Sequence, residues 1–435
     1  MSAPSRPSGE LSNAYDVIVV GASFAGLSFA SVAAARGLRV LVLERDADIG
    51  NVVRTTGVLF ADVLDVLDVP ARYLMNSVRQ IRIQTPDQKP ITISSRAFRF
   101  YMADVTGMLR WMAEEAQARG ATIRCGSPYL GAARTSSGLM RVSIGRPSAT
   151  AGGGISSRAV ASEEYASFLV GADGAKSAVA RSMGLDQNTR FLAGAEWLIQ
   201  GIQLDPETFY LVMDHKLAPG YCVWLAPHGD LAALGVAGHL REFKPTQSLE
   251  IANEIFADVA DLRNMQVVER KAGIIPTGGR LRRVNRDDER GRALLLGDAA
   301  GLCGAATGGG IYPALISGRL AAQAVSNQVL NGTDGAVKQY LRDFAHAGRM
   351  GQYLQIEDWL RWVLDHMGSN ADVAMLYGLF GRPDGHRILQ QILLETPIIS
   401  MDNSLFTLVR KLLSRHPKIY GSVFRTALRR VVAHA

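Results

Sequence analysis

Asp298 closes the apolar run "ALLLGD" and is followed by six glycines before Arg319. A carboxylate at the end of a strand can accept hydrogen bonds from a ligand's hydroxyls, or it can cap the turn or helix that follows. Glycines this dense weaken ordinary secondary structure, so Gly301, Gly304, Gly308, Gly309, Gly310 and Gly318 predict that something approaches the backbone closely. A second carboxylate, Glu44, stands 23 positions after Gly21. Between them, "VIVVGASFAG" carries Gly21, Ser23 and Gly26 at the spacing of a nucleotide-binding turn, with Phe24 and Ala25 opening the helix. In such a turn the first glycine makes the bend, the middle position faces a pyrophosphate and the last lets helix and strand pack closely. The acid then accepts the ribose hydroxyls of an adenosine, with Arg45 beside it.

These residues need particular elements to place them. "YDVIVVGASFAGLSFASVAAARGLRVLVLERD" alternates strand, turn, helix and strand, one βαβ unit. Val17 to Ala35 is uncharged, yet its Gly21, Ser23, Ser28 and Ser31 identify a folded βα segment and not a membrane span. "GMLRWMAEEAQARG" predicts an amphipathic helix closed by Gly120. "SFLVGADG" predicts a buried strand, "GRPSATAGGGISS" a flexible hairpin loop, residues 190–279 a strand-rich stretch and the chain after Gly309 mostly helix. Trp359, Trp362 and Phe380 are placed on inner faces.

The 435 residues exceed one simple core, and 48% hydrophobic with 20% charged residues describes a folded chain. Cys125, Cys222 and Cys303 form no CxxC pair, which disfavours a disulfide framework or metal site and makes a cytoplasmic location the default. Residues 1–14 read as a loose polar tail. The net charge of +7 resides in the segment from Asn403 to Ala435, which holds seven Lys and Arg and no Asp or Glu, so no nucleic-acid partner is expected. Leu405, Leu408 and Leu412 recur there at helical spacing. Three uses follow: a docked helix, a helix peripheral to an anionic membrane surface, or a docking face for an acidic protein.

The nucleotide turn, "FLVGADGAKSAVAR" with Asp173, and "ALLLGDAAG" with Asp298 together resemble the three fingerprints of the flavoprotein hydroxylase superfamily. The resemblance implies an α/β fold: a Rossmann-like FAD-binding domain, an inserted β-sheet substrate domain and a helical C-terminal region. The expected boundaries are 15–80 with 104–185 and 280–330 for FAD, 81–103 with 186–279 for substrate, and 331–435 for the helices. It also implies that Asp298 binds the ribityl side of FAD. The helix opening at Gly309, Gly310 and Ile311 then directs unpaired N–H groups at the flavin's pyrimidine edge, where reduced flavin carries negative charge.

Within the superfamily, "IIPTGGRLRRV", "TGGGIYPALISGRLAA" and "PGYCVWLAP" are similar to the geranylgeranyl reductases and flavin halogenases. Pro219, Trp224 and Pro227 match the reductases' PxxYxWxFP signature, while Cys222 and Ala226 stand at its tyrosine and phenylalanine. Positions 222, 224 and 226 share a strand face, so two small residues beside Trp224 predict a widened substrate pocket. In "VVRTTGVLF", Thr56 precedes Gly57 where prenyl reductases carry a cysteine, and Arg54 resembles the FAD-contacting arginine of para-hydroxybenzoate hydroxylase. "MADVTGMLRWM" resembles the family's DRxxLDRWL helix start, which makes Arg110 a candidate phosphate contact and a solvated helix arginine its alternative.

Because the reductase-specific positions are altered, the sequence favours an FAD-dependent monooxygenase acting on a large aromatic, apolar or polypeptide-borne substrate. Prenyl or quinone double-bond reduction and halogenation are the alternatives, with a non-catalytic flavin module last. The reductant is NAD(P)H, a reduced flavin or another donor. No general base is named.

Overall fold

The computed structural model describes residues 14–381 apart from 95–98, 147–158, 240–242, 334 and 348–349. The basic segment from Asn403, the polar N-terminal residues and most of the "GRPSATAGGGISS" stretch lie outside the described residues.

Strand Tyr15–Val20 is the middle of a parallel core ordered Gly291–Leu295, Ser162–Gly171, Tyr15–Val20, Val40–Leu43 and Thr122–Arg124. Its apolar run has no polar alternation because helices cover a parallel sheet on its faces. Val17, Ile18 and Val19 are fully buried. Helix Phe24–Ala35 follows the glycine turn and packs against the long helix Ile311–Asn331. Small residues set that closeness: a Cβ on Gly318 would lie 2.5 Å from the Ala25 carbonyl oxygen and 2.9 Å from the Ser28 Cβ. Gly318→Ala is therefore expected to lower stability by about 1–3 kcal/mol, read as a shifted urea midpoint, because two backbones must part.

A second sheet has seven strands, ordered Gln266–Pro276, Phe191–Gln200, Leu231–His239, Val223–His228, Thr208–Val212, Gln80–Gln84 and Ile91–Ser94. It is antiparallel except where Thr208–Val212 runs parallel to Gln80–Gln84. The strand-rich reading of 190–279 meets one interruption, the short helices Pro245–Glu250 and Ala252–Ile255, which bury Leu249 and Ala252 against this sheet's outer face. A small sheet of Val58–Phe60, Phe100–Ala103 and Leu74–Val78 bridges the two large ones. Helices Ile311–Asn331, Ala336–Asp343, Met350–Asp365 and Asn370–Phe380 complete the described chain. Trp359 and Trp362 pack against the cluster holding Trp224, Phe100 and Phe209, and the Phe380 side chain lies outside the described residues. Among the described residues no helix is long and apolar enough to cross a membrane.

Candidate functional site

One cavity of about 1110 Å³ runs from the nucleotide turn to the inner face of the seven-stranded sheet. That exceeds the roughly 300–1,000 Å³ of ordinary small-molecule sites. Gly21, Ser23, Phe24, Ala25, Glu44, Arg45, Arg54, Thr56, Asp173, Asp298, Gly309, Gly310, Ile311, Cys222 and Trp224 all line it. Residues separated by almost the whole chain thus meet in one space.

At the nucleotide end, Gly21 has φ +102°, and a Cβ there would lie 2.4 Å from the Ala172 carbonyl oxygen. The turn and the strand ending before Asp173 therefore touch backbone to backbone. Gly26 sits beneath the turn and does not line the cavity; a Cβ there would fall 2.0 Å from the Gly21 carbonyl oxygen. Glu44 accepts the Ala22 N–H at 2.8 Å and the Asp46 N–H at 3.0 Å, which aims its carboxylate across the turn. Helix Phe24–Ala35 begins at exposed Ser23 with no side-chain cap and no acid in its first turn. Its free N–H groups and partial positive charge face the cavity, as a pyrophosphate requires.

The two later carboxylates differ: Asp173, expected to bind the cofactor, caps a helix of its own chain, while Asp298 keeps a carboxylate open to the cavity. Asp173 accepts the Ser177 hydroxyl at 2.6 Å and the Ala178 and Val179 N–H groups at 2.6 and 3.1 Å, so it caps helix Ala178–Ser182. Its carboxylate is engaged by its own chain. Asp298 makes no side-chain hydrogen bond among the described residues, and burial pushes its carboxyl up to about 6. An unpartnered carboxylate on a cavity wall fits hydroxyl donors of a ligand.

The glycines after Asp298 serve two purposes, which corrects the expectation that all of them admit a ligand. Gly308, Gly309 and Gly310 line the cavity. Gly301 instead lets the chain approach Gly279, whose oxygen would be 2.4 Å from an added Cβ, and Gly304 makes room for Tyr353 and Glu357. Buried Glu357 accepts the Ala306 and Thr307 N–H groups at 2.8 and 2.9 Å and the Thr307 hydroxyl at 2.9 Å. Tyr353 donates to the Gly309 carbonyl at 3.3 Å. Helix Met350–Asp365 thus holds the turn from which helix Ile311–Asn331 starts, itself uncapped by any side chain at Gly310. Sequence reasoning missed these residues; the four-residue spacing of Tyr353, Glu357 and Arg361 was the available signal.

Two expected site residues lie elsewhere. Val105 and Leu109 of helix Val105–Ala118 line the cavity, but Arg110 is turned about 100° further round and is exposed. Its Nε donates to the Ile49 carbonyl at 3.2 Å, steadying the segment that includes Gly50 and Val53. Ala226 shares the face of Trp224 but is fully buried in the apolar cluster with Val78, Phe100 and Phe209, and it does not form the wall. Its small size cannot widen the cavity directly. A tyrosine does stand one position before Cys222: Tyr221 lines the cavity and donates to the Thr307 carbonyl at 2.5 Å. Burial raises the Cys222 thiol to about 12, so it is protonated at neutral pH.

A parallel α/β nucleotide fold with two uncapped helix starts and an unpartnered carboxylate in one cavity defines a flavin nucleotide protein. The chain belongs to the FAD binding domain family, matched over residues 14–316, and is an FAD-dependent oxidoreductase. It is 27% identical over 332 residues to the digeranylgeranylglycerophospholipid reductase of Methanosarcina acetivorans, covering 73% of this chain and 76% of that one. A geranylgeranyl bacteriochlorophyll reductase-like structure from Thermoplasma acidophilum superposes with TM-score 0.75 at 21% identity, covering 95% of this chain and 99% of that one. The myxobacterial chondrochloren halogenase shares the fold with TM-score 0.61 at 16% identity, covering 82% and 83%.

Proposed function

We propose that the protein is a reductase that saturates carbon–carbon double bonds in a large, apolar, isoprenoid-like substrate. FAD, when bound, would supply the two-electron chemistry: two electrons from NAD(P)H, a reduced flavin or another donor, together with two protons, add to the double bond. In this reading Gly21, Ser23 and the first turn of helix Phe24–Ala35 hold the pyrophosphate, Glu44 the ribose and Asp298 the ribityl hydroxyls. The start of helix Ile311–Asn331 stabilises charge on the pyrimidine edge.

The observation that carries the proposal is the far half of the cavity. Ile81, Ile83, Phe209, Leu211, Val363 and Leu376 surround it, a wall made to bury an apolar chain and exclude water. Two of the proteins named above, the digeranylgeranylglycerophospholipid reductase and the geranylgeranyl bacteriochlorophyll reductase-like protein, are geranylgeranyl reductases by their names, which supports the same reading. Oxygen insertion remains the second reading because Thr56 and Cys222 stand where prenyl reductases carry cysteine and tyrosine. The position of Tyr221 weakens that argument, since its hydroxyl reaches the flavin-side turn from the neighbouring residue.

The test is a product mass. Chemically reduced holoprotein, mixed with geranylgeraniol without oxygen, is expected to yield products about two mass units heavier per bond saturated. Labelled oxygen in the product, with no anaerobic turnover, would establish the monooxygenase reading instead.

A further inference from the structure

We infer that Lys271 and Glu196 form a subsite for a hydroxyl group on the substrate; the inference deepens the reductase reading and rests on it for the apolar chain. Glu196, on strand Phe191–Gln200, and Lys271, on Gln266–Pro276, are register partners in the seven-stranded sheet. Direct partners in an antiparallel pair project from the same face, and here both side chains line the cavity. They are nearly buried, at 6% and 10% side-chain exposure.

Their bonding is incomplete. The Trp224 indole N–H donates to Glu196 Oε2 at 3.2 Å and fixes the carboxylate's orientation. Glu196 Oε1 has no hydrogen-bond donor among the described residues. The Lys271 Nζ lies 3.6 Å from it, an ion-pair separation longer than a hydrogen bond, and has no acceptor among the described residues. A buried pair left this way forgoes most of the bonding that would offset its loss of water.

One oxygen can complete both partners if it accepts from the ammonium and donates to the carboxylate. An alcohol does both. A hydrocarbon does neither, and an ether can only accept. An anion would be drawn to Lys271 but would face the Glu196 carboxylate, so the neutral pair disfavours a phosphate. The subsite would fix how far an apolar chain slides along the cavity, and so which double bond is presented.

Saturated probes test this without any turnover. Oxidised holoprotein is titrated with 1-decanol, methyl decyl ether and decyl phosphate, and binding is followed by the change in flavin absorbance. The alcohol is expected to bind at least about tenfold more tightly than the ether, the worth of one hydrogen bond to a charged group. In the double variant Lys271→Met with Glu196→Gln, which retains bulk without charge, that preference is expected to vanish while FAD content is unchanged. Equal affinity of alcohol and ether for the unaltered protein overturns the inference whether or not the variant folds. So does tighter binding of the phosphate, failure of all three probes to bind, or loss of FAD from the folded variant, which would assign the pair to the flavin. The reductase reading fails by a different result, the absence of saturated geranylgeraniol.

Discussion

Replacing Asp298 with Ala is expected to weaken FAD binding by about 10- to 150-fold, the equivalent of one charge-assisted hydrogen bond of about 1.5–3 kcal/mol. The carboxylate has no partner to lose among the described residues, so the effect falls on the ligand and not on the fold. The same residue should make FAD binding depend on pH. Burial raises its carboxyl to about 6, above the ordinary carboxylate range. In the ligand-free protein burial favours the protonated form relative to the unfolded chain, a contribution to stability that is full below the unfolded value and lost as pH rises through about 6. Ribityl hydroxyls donate to the ionised form, so affinity should rise as pH passes through about 6 and fall below it. Fluorescence titration of apoprotein with FAD at pH 5 and pH 7.5 measures both effects. Asp298→Asn should bind weakly at each pH with no difference between them; a pH response surviving in Asp298→Asn would place the titrating group elsewhere.

Glu357→Ala is expected to be the more damaging change to the fold, at about 3–5 kcal/mol. It strands the Ala306 N–H, the Thr307 N–H and the Thr307 hydroxyl in a buried site, and each lost partner costs about 1–3 kcal/mol with incomplete additivity. Burial pushes the Glu357 carboxyl above its usual range while these three donors pull it back, so the group is adapted to this one pocket. Glu357→Gln should retain the fold and FAD binding, because the amide oxygen can accept both N–H groups while the amide nitrogen donates to the Thr307 hydroxyl oxygen. Urea unfolding and FAD occupancy separate the outcomes. Full stability in Glu357→Ala would mean that the turn does not depend on this helix.

The residues by themselves determined the parallel core and the nucleotide turn, which rest on local chemistry: an uninterrupted apolar run makes a buried strand, and Gly21 a left-handed turn. The flavin came from the resemblance of three ordered motifs, because the turn alone does not separate one dinucleotide from another. Taken alone, Asp298 could be a ligand contact or a helix cap, because both need the same acid after a strand, and the resemblance of the three motifs favoured the ligand. In the fold Asp173 accepts from three donors and caps a helix, while Asp298 has no side-chain partner among the described residues. Tertiary structure also showed that Tyr221, and not position 222, reaches the flavin-side turn, a contact across 86 residues. Glu357 meets Thr307 across 50 residues, and Arg361 donates to the Gly220 carbonyl across 141. Periodicity reports which face of an element is buried, but not what that face meets. The neighbours of Glu196, Lys271 and Glu357 are set by how helix Met350–Asp365 and the seven-stranded sheet close over one cavity, and only the folded chain brings them together.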